Sequence, residues 1–216
     1  MVAAAGAALI AFALVGLQVG ILFNELALKS GTQSTADTAQ QLLDTADSLN
    51  TPFVIVELLA AALLIAWMNR TYQKLPGLGA RDLQGSPGGA VGWWFVPLAN
   101  LYVPFKYLRE IWRALTPGLT PNDRISRAKV PGGKIVGALW ILAIVSFVLG
   151  LVVRGAALKV DTLDDFIRFA AIDATFLASR VGYGLVSIAL MLAVQQRQAR
   201  RFAELQADAA PRATEA

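Results

Sequence analysis

Four stretches of this 216-residue chain stay apolar for about as long as a bilayer crossing requires, and the polar stretches between them alternate in charge. The pattern predicts membrane spans over about 3–23, 52–68, 135–153 and 175–194. The second has a clear start signal in Thr51-Pro52, a capping residue followed by proline at the first helical position. It also has a clear end, with Trp67 and Tyr72 at headgroup height and Arg70 and Lys74 beyond them. The first span has no Lys or Arg before Lys29 and a long apolar run, so it is expected to be a retained span rather than a signal peptide. Its Gly16 and Gly20 form a GxxxG that permits close helix approach, although Ala/Gly-rich composition alone accounts for it equally well. The fold class this implies is all-α: an integral membrane four-helix bundle made of two helical hairpins.

The hydrophobic pattern changes character between the hairpins. Residues 76–90, PGLGARDLQGSPGGA, are turn chemistry throughout. Residues 91–115 then form a segment too polar for a further span and too apolar for a soluble linker. It holds Trp93, Trp94 and Trp112, is broken at Pro97, and becomes a helix after Pro104. Phe105, Leu108, Ile111, Trp112 and Leu115 fall on one side of that helix, and Lys106, Arg109 and Arg113 on the other. This is the pattern of an interfacial amphipathic helix on the cytoplasmic side, with its apolar face in the acyl boundary. The same pattern fits a helix packed on the cytoplasmic end of the bundle. Thr162 with Asp165 gives a weak helix start before the fourth span. The four-span domain is expected to end near residue 202, with 203–216 a disordered tail.

Charge placement supplies orientation. Residues 70–134 carry ten basic residues against three acidic ones, whereas the segment 24–50 has four acids against one base. Basic segments remain on the cytoplasmic side, which puts both termini inside. The chain has neither cysteine nor histidine. Disulfides, thiolate or imidazole catalysis and Cys/His metal sites are therefore excluded. The Gly-rich 76–90 stretch lacks the strand-loop-helix context of a phosphate cradle. No cofactor or metal is expected, and sorting of positive charge explains the basic loop without nucleic acid.

Residues 92–114, GWWFVPLANLYVPFKYLREIWRA, resemble a bacterial membrane family catalogued as domain of unknown function 4328. The residues that carry the resemblance are Trp93, Trp94, Phe95, Pro97, Asn100, Leu101, Pro104, Arg109, Glu110, Trp112 and Arg113. Trp67, Arg70 and Tyr72 match upstream, and Gln195 to Arg201 match as a basic exit. The resemblance implies a four-span membrane domain, in the bacterial cytoplasmic membrane, and brings no activity with it.

The reading these features favour is a non-enzymatic scaffold or lipid- and partner-binding module. Its expected contact residues are Trp93, Trp94, Asn100, Lys106, Arg109, Trp112 and Arg113, with anionic headgroups, a protein partner or a second copy as the ligand. Asn100 is expected to cap the helix that follows Pro97. The alternative is a subunit of a small oligomeric transporter or channel, suggested by the two intramembrane charges Glu57 and Arg180. These two are expected to pair between the hairpins. Catalytic residues are not expected, because no two carboxylates share a helix face at catalytic spacing within the spans.

Overall fold

The computed structural model describes residues 18, 54–56, 58–81, 83–117, 133–157 and 163–214. Among these the chain is all-helical. Helix α1 covers Val54–Lys74, α2 Pro87–Gly92, α3 Val103–Ala114, α4 Lys134–Ala157 and α5 Leu163–Thr214. Among the described residues three helices are long and apolar enough to cross a membrane: Val54–Lys74, Lys134–Ala156 and Arg168–Asp208. The expected spans 52–68, 135–153 and 175–194 each coincide with one of them. The expected span 3–23 lies outside the described residues apart from Gln18, which is helical.

Local sequence explains where the elements stop. After α1 the chain makes a 3-10 turn at Pro76–Leu78 and then reaches Gly79 at φ 82°. The Ala80 N–H bonds to the Leu75 carbonyl and the Gly79 N–H to that of Pro76, each at 3.0 Å. This pair of bonds is a Schellman motif, and only glycine adopts its left-handed position without strain. Helix α2 begins within the stretch read as turns: Ser86 caps it by accepting from the Gly89 N–H at 3.1 Å, and Pro87 occupies the first turn. Helix α5 merges features read as separate, namely Asp165 of the start signal, the fourth span and the tail, while Thr162 lies outside the described residues. The stretch 203–214, expected to be disordered, is helical. It is rich in alanine, and Arg201 binds Glu204 one turn on at 2.8 Å.

The chain divides into two compact units, Met1–Ala61 with Ile141–Val186, and Ala62–Trp140 with Ser187–Ala216. In the first, small residues let α4 and α5 approach closely. The hydroxyls of Ser146 and Ser179 bond at 2.9 Å, and a Cβ placed on Gly150 would lie 3.2 Å from the Phe176 ring. Outward from this contact stand Ile141, Val145, Phe147, Val148, Leu151 and Leu185, all exposed. In the second unit the core is built from Met68, Tyr72 and Leu75 at the end of α1, Leu108 and Ile111 of α3 with Leu115 at its C-cap, Val136 and Leu139 of α4, and Leu190, Met191 and Val194 of α5.

Candidate functional site

The contact residues singled out by the sequence between Trp93 and Arg113 lie in the second unit, which uses its aromatic residues in three different ways. The first is a clasp. Tyr72 and Tyr107 stand with ring centroids 5.1 Å apart, tilted at 58°. The Tyr72 hydroxyl donates to Glu110 Oε2 at 2.8 Å and accepts from the Gly85 N–H at 2.9 Å. Glu110 Oε1 accepts from the Gln84 N–H at 2.6 Å, and the Tyr107 hydroxyl accepts from the Ser86 N–H at 3.3 Å. Three consecutive amides, which form no helix of their own, are thus satisfied by side chains of α1 and α3. Both oxygens of Glu110 are engaged.

The second is a stacked indole. Trp112 lies under the Arg197 guanidinium, whose central carbon is 3.7 Å from the ring centroid. Arg197 Nη1 also donates to the Trp112 carbonyl and to Thr116 Oγ1, each at 3.3 Å. That carbonyl belongs to the last turn of α3, where a cation satisfies orphan acceptors and complements the helix dipole. Gly133, at φ 78°, sits against the same ring; a Cβ there would come within 2.6 Å of the indole nitrogen. The position needs glycine for its backbone and for its lack of a side chain.

The third is an exposed hook between α2 and α3. Trp93–Phe95 and Ala99–Leu101 are 3-10 turns. Between them Leu98 takes φ 64° and ψ −45°, and the Ala99 N–H reaches back to the Pro97 carbonyl at 2.7 Å. This is a γ-turn of the rare, strained hand. Trp93, Phe95, Val96, Leu98, Leu101 and Tyr102 are all exposed, with Leu98 at 83% and Phe95 at 75%. At the base of the hook the Trp140 indole N–H donates to the Leu101 carbonyl at 3.0 Å, and Phe105 stacks on Trp140 with centroids 5.5 Å apart. Cations sit on the neighbouring rings, Lys106 Nζ 4.6 Å from the centroid of Tyr102 and the Arg109 guanidinium 5.3 Å from that of Phe105.

Several expectations change as a result. The face of α3 assigned to the acyl boundary is covered by protein: Leu108, Ile111 and Leu115 are buried, together with Pro104 and Tyr107. Periodicity identifies an apolar stripe but not what covers it. Trp112 carries the Arg197 guanidinium on its ring. Asn100 does not cap α3, which starts after Tyr102 without any side-chain cap; Asn100 is instead taken up in the intervening 3-10 turn. Trp93 is exposed, whereas the Trp94 indole nitrogen is buried and has no hydrogen-bond partner among the described residues. Arg113 is partly buried beside Arg109; burial first, and then that neighbouring charge, pull its guanidinium below the usual arginine value.

Glu57 lies outside the described residues, so the expected pairing with Arg180 does too; Arg180 itself lies 6.0 Å from the Phe176 ring centroid. A different polar contact was not foreseen. Asp173 belongs to α5, and its Oδ2 accepts from Gln18 Nε2 at 2.8 Å. The roles of Arg197 and Tyr107 were also missed. Tyr107 stands four residues before Ile111 on the buried face of α3, and that spacing is the one signal that pointed to it. The contacts of Arg197 span 85 residues of sequence, and no local pattern encodes them.

No curated protein and no solved structure matches the chain. A family profile does: the one described as Domain of unknown function (DUF4328) matches residues 27–209, which contain the clasp, the stacked indole and the hook, and the chain belongs to that family.

Proposed function

We propose that the protein is a non-enzymatic, four-span scaffold of the bacterial cytoplasmic membrane. In this reading both termini and the 70–134 segment are cytoplasmic, and the second unit offers anionic lipid headgroups a cationic, aromatic border. One observation carries the reading: Lys106 and Arg109 lie on the rings of Tyr102 and Phe105, beside exposed Trp93 and Phe95. Aromatic rings with cations beside them suit the headgroup level, where one side is apolar and the other charged. The engagement of both Glu110 oxygens supports a structural rather than catalytic role for the acid nearest these cations. A protein partner or a second copy at the same border remains compatible with the reading, because the same groups serve both.

The test is lipid selectivity. The protein is extracted gently from membranes containing anionic and zwitterionic phospholipids, and the bound lipid is quantified by mass spectrometry. If each basic residue contributes about 1 kcal/mol near anionic lipid, the double substitution Lys106→Gln/Arg109→Gln lowers the anionic enrichment about fivefold per charge. An unchanged ratio refutes the headgroup role.

A further inference from the structure

The hook at 93–102 has the polarity of a soluble turn reversed. Six of its ten side chains are exposed apolar or aromatic residues. Many of its backbone polar groups, by contrast, are bonded within the protein. The N–H groups of Ala99, Asn100, Leu101 and Tyr102 donate in turn to the carbonyls of Pro97, Val96, Leu98 and Ala99. The Leu101 carbonyl accepts from Trp140, and that of Tyr102 from the Lys106 N–H. A loop in water has no need of such economy, since water satisfies its amides. Irregular backbone at membrane depth must satisfy every group within the protein.

The base of the hook is tied to one level on a helix long and apolar enough to cross a membrane. In α4, Lys134 and Arg154 are twenty residues apart, so they bracket about 30 Å, the thickness of a hydrocarbon core. Trp140 is six residues past Lys134, about 9 Å along the helix axis. Its side chain leans back toward the helix N-terminus, so the indole meets Leu101 between the level of Lys134 and that depth. This is the boundary between headgroups and acyl chains on the basic side.

We propose that residues 93–102 form a shallow wedge immersed in the acyl chains of the leaflet on the basic side, with Leu98 at its tip and Lys106 at its headgroup edge. The occupant of the apolar face is phospholipid acyl chain. The strained γ-turn fits this role, because it turns the Leu98 side chain away from the protein while keeping the neighbouring amides paired. The proposal rests on the membrane placement in the functional reading but not on its headgroup selectivity.

The chain has no cysteine, so single-cysteine variants report one position each. Leu98→Cys and, as a reference, Lys134→Cys are reconstituted into vesicles of phosphatidylcholine and phosphatidylglycerol. They are labelled with a neutral fluorophore or challenged with a charged maleimide. Leu98→Cys is expected to react at least about tenfold more slowly with the charged reagent than Lys134→Cys, because apolar surroundings suppress the thiolate by that factor for each unit of pKa. Its fluorophore is expected to be quenched by nitroxides high on the acyl chain more than by headgroup nitroxides, with the order reversed for Lys134→Cys. Free reaction at residue 98 puts the hook in water and overturns the wedge. Slow reaction without acyl-chain quenching means that protein covers the hook, and overturns it equally. In either case anionic enrichment that still depends on Lys106 and Arg109 leaves the headgroup reading standing.

Discussion

The clasp and the hook are neighbours in sequence and both are built from aromatic residues, yet they spend those residues in opposite directions. In the clasp, Tyr72 and Tyr107 are buried and their hydroxyls bind loop amides, so each ring contributes packing and a polar bond together. In the hook, the amides bind one another and the rings and leucine face outward. The clasp depends on side chains to hold backbone, whereas the hook depends on backbone to present side chains. Substitutions should therefore act very differently in the two places, even where the residues are similar in size.

The largest effect is expected at Glu110. Glu110→Ala removes the acceptor of both the Tyr72 hydroxyl and the Gln84 N–H. Two hydrogen bonds to a charged group in a partly buried site correspond to a loss of about 3 kcal/mol, read as a lower thermal midpoint in detergent. Glu110→Gln, which keeps a carbonyl acceptor, should recover roughly half of it. A Glu110→Ala protein as stable as the parent would mean that the clasp does not hold the loop.

Arg197→Ala comes next, at about 1–2 kcal/mol, because the ring of Trp112 loses its cation and the end of α3 loses a donor. Arg197→Lys should restore only a part, since an ammonium has no flat fork to lie on the indole while reaching the carbonyl. Full recovery with lysine would reduce the contact to simple charge.

Leu98→Gly should have the smallest effect and the opposite sign. The side chain is 83% exposed, and glycine takes φ 64° without strain, so stability in detergent should be unchanged or higher by up to about 1 kcal/mol. A clear loss would show that Leu98 is held by the protein, and the contrast between the two regions would fail.

How much of this could be read in advance follows the range of the interactions. The spans 52–68, 135–153 and 175–194 were legible because a bilayer-length apolar run is a local and redundant signal. The α3 stripe of Leu108, Ile111 and Leu115 was also legible, but its cover was not, since the same stripe serves lipid or protein. Asn100 was misread because a γ-turn centred on leucine has no sequence signature; the outlier is imposed by the surrounding chain. The full length of α5 was missed because the Ala-, Pro- and Glu-containing residues after Phe202 resembled a solvated tail, although alanine and the Arg201–Glu204 contact favour helix. The clasp joins residues 26 and 38 positions apart through Glu110, a distance at which composition and periodicity are silent.

The loop closed by the clasp has one further consequence. Gln84, Gly85 and Ser86 aim successive N–H groups at side-chain oxygens, and runs of amides pointing into one concavity are the usual means by which proteins hold phosphate or other anions. Here the three amides are divided among three side chains: the Gln84 N–H meets the Glu110 carboxylate, and those of Gly85 and Ser86 meet the Tyr72 and Tyr107 hydroxyls. The loop's amides are already spent within the chain, and the one negative charge among their acceptors is that of Glu110. A soluble phosphate could be received there only by displacing an acid that is covalently tethered, and therefore always present at high local concentration.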